Sequence, residues 1–116
     1  MPQYAILLYR VDEEQPAQNS PEMQSLYQAW GEFRKQIGET GIMTNGIGLA
    51  AASSATTVRV RDGKTLTTDG PFAETKEQLG GVFNFDCKDL DEAIEWASKI
   101  PDASRCCVEI RPVWGG

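Results

Sequence analysis

The first predicted strand restricts the possible folds most, because apolar residues occupy both of its faces. Residues 3–11 read Gln-Tyr-Ala-Ile-Leu-Leu-Tyr-Arg-Val, with apolar side chains at odd and at even positions. Successive side chains of a strand point to opposite faces of the sheet. This pattern is typical of a central strand in a sheet that is covered on both sides. Each face of the sheet therefore needs a cover.

Two predicted amphipathic helices supply the first cover. Ser20 and Pro21 begin one helix, since serine caps free amides and proline suits the first helical position. Asp89 begins the other, with Glu92 as its capping-box partner. Apolar residues then recur at spacings of three and four and form one stripe per helix, namely Met23, Leu26, Tyr27, Trp30, Phe33 and Ile37, and Leu90, Ala93, Ile94, Ala97 and Ile100. We interpret the first stripe as core rather than as a cofactor-binding surface.

The remaining strands complete the order strand, helix, strand, hairpin, strand, helix, strand. Residues 42–51 form an irregular strand, the turn Asp62-Gly63 joins two strands of a hairpin, and residues 79–87 and 106–113 form the last two strands. This order predicts an α+β fold in which an antiparallel sheet carries both helices on one face. At 116 residues, the chain is predicted to form a single domain.

The opposite face of the sheet then lacks a cover. Phe83, Phe85, Tyr4 or Tyr9 is expected to lie there. An apolar face of this size needs a partner, and a second copy of the chain is the simplest one. We therefore predict a two-fold homodimer.

Charge and composition exclude several function classes. The net charge of -6 argues against nucleic-acid binding, and we interpret the alternating Arg59 and Arg61 as a solvated strand face. No apolar run is long enough to span a bilayer, and the first residues lack the regions of a signal peptide, so a cytoplasmic location and no membrane contact are expected. The chain has no histidine, which excludes catalytic triads that use histidine and also zinc or iron sites that are built on histidine. Proton transfer would need a carboxylate, lysine, tyrosine or cysteine.

The three cysteines are interpreted as small buried apolar residues. Cys106 and Cys107 are adjacent in a predicted strand, so their side chains should point to opposite faces. That arrangement argues against a shared metal site. We therefore predict no metal and no cofactor.

The loop from residue 69 to residue 77 is the first candidate for a functional site. It combines the turn residues Asp69, Gly70 and Pro71 with an aromatic, two glutamates and a lysine. Two interpretations of Asp69 stay open. Its carboxylate either accepts amide hydrogen bonds within the turn, with Phe72 anchored in the core, or it lies in a cleft where desolvation suits it to acid-base work.

The neighbouring residues are candidates for substrate binding. Glu74 and Lys76 either form a surface ion pair, or Lys76 presents its charge to an acidic small molecule. Arg59 and Tyr9 are further candidates, because neighbouring strands can project them, and also Tyr4, into the same space. Phe72 would then pack against the bound molecule.

The stretch Asp69-Gly70-Pro71-Phe72-Ala73-Glu74-Thr75-Lys76-Glu77, followed by Gly80-Gly81, resembles the signature of DGPF-domain proteins within the YCII-related family. The resemblance implies a ferredoxin-like fold that dimerises as an α/β barrel. Relatives include a dehydrochlorinase, and the wider fold hosts isomerases and cofactor-free monooxygenases. Some DGPF-type proteins are encoded beside, or fused to, extracytoplasmic-function sigma factors. Simpler relatives have been proposed to use a histidine-aspartate pair, of which only Asp69 is present here.

Two function hypotheses follow. In the first, the protein is a cofactor-free lyase or isomerase acting on a small acidic or cyclic metabolite. Asp69 would move a proton, and Lys76 or Arg59 would hold the negative charge. In the second, the dimer binds a metabolite without chemistry, or its surface binds a protein partner such as a sigma factor.

Overall fold

The computed structural model describes residues 1–115 and shows a four-stranded antiparallel sheet, two helices and a separate two-stranded hairpin. The elements are β1 (Gln3–Arg10), α1 (Pro21–Gly38), β2 (Met43–Gly48), β3 (Thr56–Arg61), β4 (Lys64–Asp69), β5 (Gln78–Asp86), α2 (Leu90–Ala97) and β6 (Cys107–Pro112). The sheet order is β2-β5-β1-β6, and β3 pairs with β4. The predicted α+β class is confirmed. This order is consistent with a ferredoxin-like fold that carries a hairpin between β2 and β5.

Both helices begin at the predicted caps. The Ser20 hydroxyl accepts a hydrogen bond from the Met23 amide at 3.1 Å, and the Asp89 carboxylate accepts one from the Glu92 amide at 2.9 Å. These contacts satisfy amides that the first helical turn leaves free. Within residues 1–115, neither helix is both long and apolar enough to cross a membrane.

The core lies between the helices and one face of the sheet. Ile6 of β1 lies opposite Phe83 of β5 and opposite Ile110 of β6, so these three side chains share that face. The buried residues of both helices join the same cluster, which contains Tyr4, Ile6, Leu8, Phe33, Ile37, Ile42, Phe83, Phe85, Cys87, Ala93, Ala97 and Ile100. The two helices therefore cover the same face of the sheet.

Of the four residues expected on the uncovered face, the expectation was wrong for Tyr4, Phe83 and Phe85, because all three are buried in this core. The register explains the outcome, since the even positions of β1 pair with the odd positions of β5 along most of their length. Tyr9 has the other parity and lies on the opposite face. That face is the one on which neither helix packs.

The open face of the sheet carries an apolar strip. Leu7 lies beside Val82, and Val82 lies beside Ile47 on the edge strand β2. Leu7 and Val82 are half-buried, whereas 55% of Ile47 is exposed. The sequence prediction that β1 is apolar on both faces is thus confirmed. The cover of the second face does not come from a helix of residues 1–115.

The β3–β4 hairpin projects from the domain. Among residues 1–115, its strands pair only with each other, and Val58 and Val60 are both 60% exposed. The radius of gyration is 16.1 Å, whereas a compact domain of this length has one of about 13 Å. The molecule is also only 18 Å thick along its shortest axis. An uncovered sheet face and an exposed apolar hairpin therefore occur in the same flat molecule.

Candidate functional site

The turn at Asp69 is held by its backbone. The Gly70 amide donates to the Ala55 carbonyl at 2.7 Å, and the Gly70 carbonyl accepts from the Thr57 hydroxyl at 2.8 Å. Gly70 has a φ of +96°, which favours glycine. The Asp69 side chain is exposed and accepts no hydrogen bond from any residue in the described part of the chain. The carboxylate is therefore not needed to hold this turn.

Phe72 does not anchor the loop in the core. Its side chain is 81% exposed, so the one of the two interpretations that placed Phe72 in the core was wrong. The loop follows the projecting hairpin and therefore lies outside the layer that the helices cover. Phe72 instead lines a shallow depression with Pro71, Leu49 and Leu79.

Glu74 and Lys76 line a polar cleft of about 640 Å³ together with Asp12 and Glu13. No ion pair joins Glu74 to Lys76 within residues 1–115. The cleft has three carboxylates and one ammonium group among these four residues. Its charge therefore favours a cation over an acidic ligand.

The other candidates lie elsewhere. Tyr9 donates a hydrogen bond to Glu109 at 3.2 Å, and burial together with this carboxylate raises the pKa of Tyr9. Arg59 is half-buried on the hairpin. Among the predicted site residues within residues 1–115, Glu74 and Lys76 line the same cleft, whereas Phe72 and Tyr9 each line a different one. Asp69 and Arg59 line none of these three clefts.

The three cysteines differ in burial. Cys87 is fully buried, as predicted, and burial raises its pKa to about 11. Cys106 is half-buried and Cys107 is exposed, so the prediction was wrong for both. Strand β6 begins only at Cys107, and strand alternation therefore does not separate the two side chains. Burial, and then the neighbouring Glu77 carboxylate, raise the pKa of Cys107.

A different cleft, of about 400 Å³, lies between α1 and the sheet, in a part of the molecule that the sequence did not single out. Its charged groups come from three parts of the chain: Arg10 at the end of β1, Arg34 on α1, and Asp102 in the turn before β6. Its volume lies in the range of small-molecule pockets. We call it the α1 cleft.

Two contacts hold the Arg10 side chain at the edge of the α1 cleft. One of its terminal nitrogens donates to the Leu49 carbonyl, and its Nε lies 3.7 Å from an Asp12 carboxylate oxygen. This Nε is buried and has no hydrogen-bond partner in residues 1–115. A Cβ on Gly80 would lie 2.7 Å from the same Nε. Glycine at position 80 therefore leaves the space in which the guanidinium lies.

Aromatic rings form the α1 side of the cleft. Trp30 stacks on Phe83 at 5.7 Å between ring centroids, which ties the ring to the core. The Arg34 guanidinium lies 5.9 Å from the Trp30 ring, within cation-π range. Tyr27 is 63% exposed at the mouth of the cleft. A Cβ at Gly31 would meet nothing within 4 Å, so this part of the wall has room for a ligand.

Asp102 places a carboxylate in the wall of the same cleft. It is 3% exposed, and its Oδ1 lies 3.4 Å from Nη1 of Arg105. This ion pair balances the charge of Asp102, while Arg34 has no ion-pair partner in the described residues. A guanidinium binds the two oxygens of a carboxylate through parallel hydrogen bonds, and a planar ring packs well on tryptophan and tyrosine. The cleft can therefore accept a small planar acid.

The sequence is similar to known proteins along nearly its whole length. It is 34% identical over 112 residues to an uncharacterised protein of Rhizobium meliloti (strain 1021), covering 95% of this chain and 90% of that protein. The family model of the YCII-related domain matches residues 3–115. Placement in the narrower DGPF group stays a prediction. The chain belongs to the YCII-related family.

Proposed function

We propose that the protein binds a small planar carboxylate, such as an aromatic or cyclic acid, in the α1 cleft. The observation that carries this proposal is Arg10, whose Nε is buried beside the cleft without a hydrogen-bond partner in the described chain. The Asp12 carboxylate at 3.7 Å balances the charge of this guanidinium but lies beyond hydrogen-bond distance of Nε. A buried donor without an acceptor costs about 1–3 kcal/mol. A bound carboxylate would supply the missing acceptor.

The remaining walls fit the same ligand class. Trp30 offers a ring that is fixed by its contact with Phe83, so little side-chain freedom is lost on binding. Arg34 adds a second positive charge near that ring. An acid with a flat apolar body would contact both features at once.

We propose further that two copies of the chain pair through the open sheet face and the β3–β4 hairpin, as in an α/β barrel. The strip that contains Leu7, Val82 and Ile47 and the exposed Val58 and Val60 support this proposal, because large apolar patches mark interaction sites. A sigma-factor-type regulator is the alternative partner for the same surface.

Catalysis of the cofactor-free lyase or isomerase type would need a group that transfers a proton. Asp102 is the carboxylate that already lines the α1 cleft. Asp69 remains a candidate where a second copy closes over the loop, and Phe72, Lys76, Glu74, Arg59 and Tyr9 would then contact the enclosed molecule. In either arrangement a carboxylate would transfer the proton, a role that histidine often has in other enzymes and that no histidine can have in this chain.

The proposed binding is tested by titrating the protein with benzoate in a calorimeter. The variant Arg10→Gln loses the charged donor, and we expect its affinity to fall about 10- to 100-fold, as charge-assisted hydrogen bonds are worth about 1.5–3 kcal/mol. Gly80→Ala is expected to act in the same direction, because its Cβ meets the Arg10 side chain. Methyl benzoate, which lacks the charge, should bind more weakly to the wild-type protein.

The matched control is Arg61→Gln. Arg61 is an exposed arginine of the hairpin, and its replacement changes the net charge by the same amount. Benzoate affinity of this variant should equal that of the wild-type protein. Equal affinity of the Arg10→Gln variant, with its fold intact by circular dichroism, would contradict the proposal.

A further inference from the structure

A second cluster of side chains lies where the loop ends and β6 begins. One Glu77 oxygen and the sulfur atoms of Cys106 and Cys107 all lie within 4.8 Å of one another. We propose that these three residues form a zinc-binding site with one open coordination position. The site is separate from the α1 cleft, whose lining contains none of them.

The spacing of the donor atoms fits a tetrahedral zinc ion. Zinc binds thiolate sulfur at about 2.3 Å and carboxylate oxygen at about 2.1 Å, so sulfur and oxygen ligands of a tetrahedron lie about 3.6 Å apart. The distance from Cys107 Sγ to Glu77 Oε2 is 3.6 Å. Two sulfur ligands would lie about 3.8 Å apart. The upper limit of 4.8 Å for the three atoms is compatible with a small closing movement.

The fold holds Glu77 at this position. The Gln78 side-chain amide donates to the Ala73 carbonyl at 3.0 Å and to the Thr75 carbonyl at 2.8 Å. The Thr75 hydroxyl donates to the Glu77 carbonyl at 2.6 Å. Side chains of the loop thus hold its final turn, and this turn places the Glu77 carboxylate beside Cys107. Glu77, the last residue of the loop signature, would therefore be a ligand of this site, although it does not line the α1 cleft.

The turn that precedes β6 holds the backbone of Cys106. Its amide donates to the Asp102 carbonyl at 3.0 Å, which ends the short turn of residues 101–104. Cys106 therefore lies in a bend before the strand, and its sulfur shares one side with the sulfur of Cys107. A pair of adjacent cysteines in a regular strand would not have this geometry.

The surroundings suit a thiophilic cation. Glu77 and Cys107 line an open cleft that also contains Tyr9 and Glu109, and the Tyr9 hydroxyl already donates to Glu109. The cleft beside the cluster therefore contains a second carboxylate. Binding would form two Zn–S bonds and one Zn–O bond and would release one proton from each thiol to solvent. The bound ion would join the loop to the start of β6.

The test is titration of the reduced full-length chain with Co²⁺ and then Zn²⁺. Cobalt in the site should give thiolate-to-metal charge-transfer absorption, which zinc removes by displacement at one ion per chain. Zinc affinity is then measured by competition with a chromophoric chelator. We expect Cys107→Ser and Cys106→Ser each to lower the affinity at least tenfold, and Glu77→Gln to lower it about 10-fold.

Cys87→Ala is the matched control, since it removes a thiol that lies in the core and outside the cluster. It should leave both the charge-transfer absorption and the zinc affinity unchanged. Each variant is checked for folding by circular dichroism before titration. No charge-transfer absorption in the folded wild-type protein, or equal zinc affinity of the Cys107→Ser variant, would show that Cys107 and Glu77 form only a hydrogen bond.

Discussion

Replacing Phe85 with alanine is expected to lower the free energy of unfolding by about 3–5 kcal/mol. Phe85 is fully buried and lies opposite Tyr4 on β1 and Met43 on β2. Removing its ring loses apolar burial and leaves a cavity that central strands cannot close. Small domains have a free energy of unfolding of about 5–15 kcal/mol in total. Urea denaturation followed by circular dichroism measures the change.

The same substitution at Phe72 is the control. Phe72 is 81% exposed, so Phe72→Ala should change the stability of one chain by no more than about 0.5 kcal/mol. Both variants lose the same phenyl ring, so the difference between their stabilities measures the effect of burying that ring. A large loss of stability for Phe72→Ala at all protein concentrations would contradict the placement of the loop outside the core.

Replacing both Val58 and Val60 with aspartate is expected to convert the proposed dimer into monomers. Both side chains lie on one face of the hairpin, where their neighbours across the strand pair are Thr67 and Thr65. Carboxylates buried in an apolar contact without partners cost several kcal/mol. The dissociation constant should therefore rise more than about 100-fold. Light scattering should give twice 12.8 kDa for the wild-type chain and 12.8 kDa for the variant.

Thr68→Asp is the control for this variant. Thr68 lies on the opposite face of the hairpin, which also carries Arg59, Arg61 and Lys64, and a carboxylate is well tolerated beside those charges. The control should remain dimeric. A light-scattering mass of a monomer for the wild-type chain at micromolar concentration would contradict the proposed dimer. A dimer that survives both valine substitutions would place its interface elsewhere.

Local sequence chemistry was sufficient to predict most of the fold. The caps at Ser20 and Asp89 and the turn at Asp62-Gly63 each depend on a few neighbouring residues, and all three occur as predicted. The parity of the strands could not be predicted in this way. Both faces of β1 are apolar, so only the pairing with β5 shows that Phe83 and Phe85 face the helices. Register depends on contacts between distant segments.

The candidate site was harder to predict for a related reason. Arg10, Trp30 and Asp102 lie far apart in sequence, and only the packing of α1 on the sheet brings them to one cleft. One signal was present, because Arg10 is a lone charge near the end of an apolar strand. The loop at Asp69 has a denser and more distinctive sequence, yet in one chain its carboxylate is exposed.

The interpretation of the cysteines depended on the first residue of β6, which was predicted one position too early. Predicting the strand from residue 106 separated the two sulfur atoms, whereas β6 begins at Cys107 and the sulfurs share one side. Strand and helix ends are the least certain part of any assignment from sequence. An error of one position was enough to hide a cluster of three potential ligands.

The central claim is that a planar carboxylate binds in the α1 cleft, and a nitrogen-15 NMR titration with benzoate tests it most directly. Three glycines, Gly31, Gly48 and Gly80, line the cleft, and Gly63 and Gly70 lie at the hairpin. We expect saturable shifts of the amide signals of the first three and unchanged signals for the other two. Shifts confined to Gly70 and its neighbours, with the cleft glycines unchanged, would contradict the account and place the ligand at the Asp69 loop.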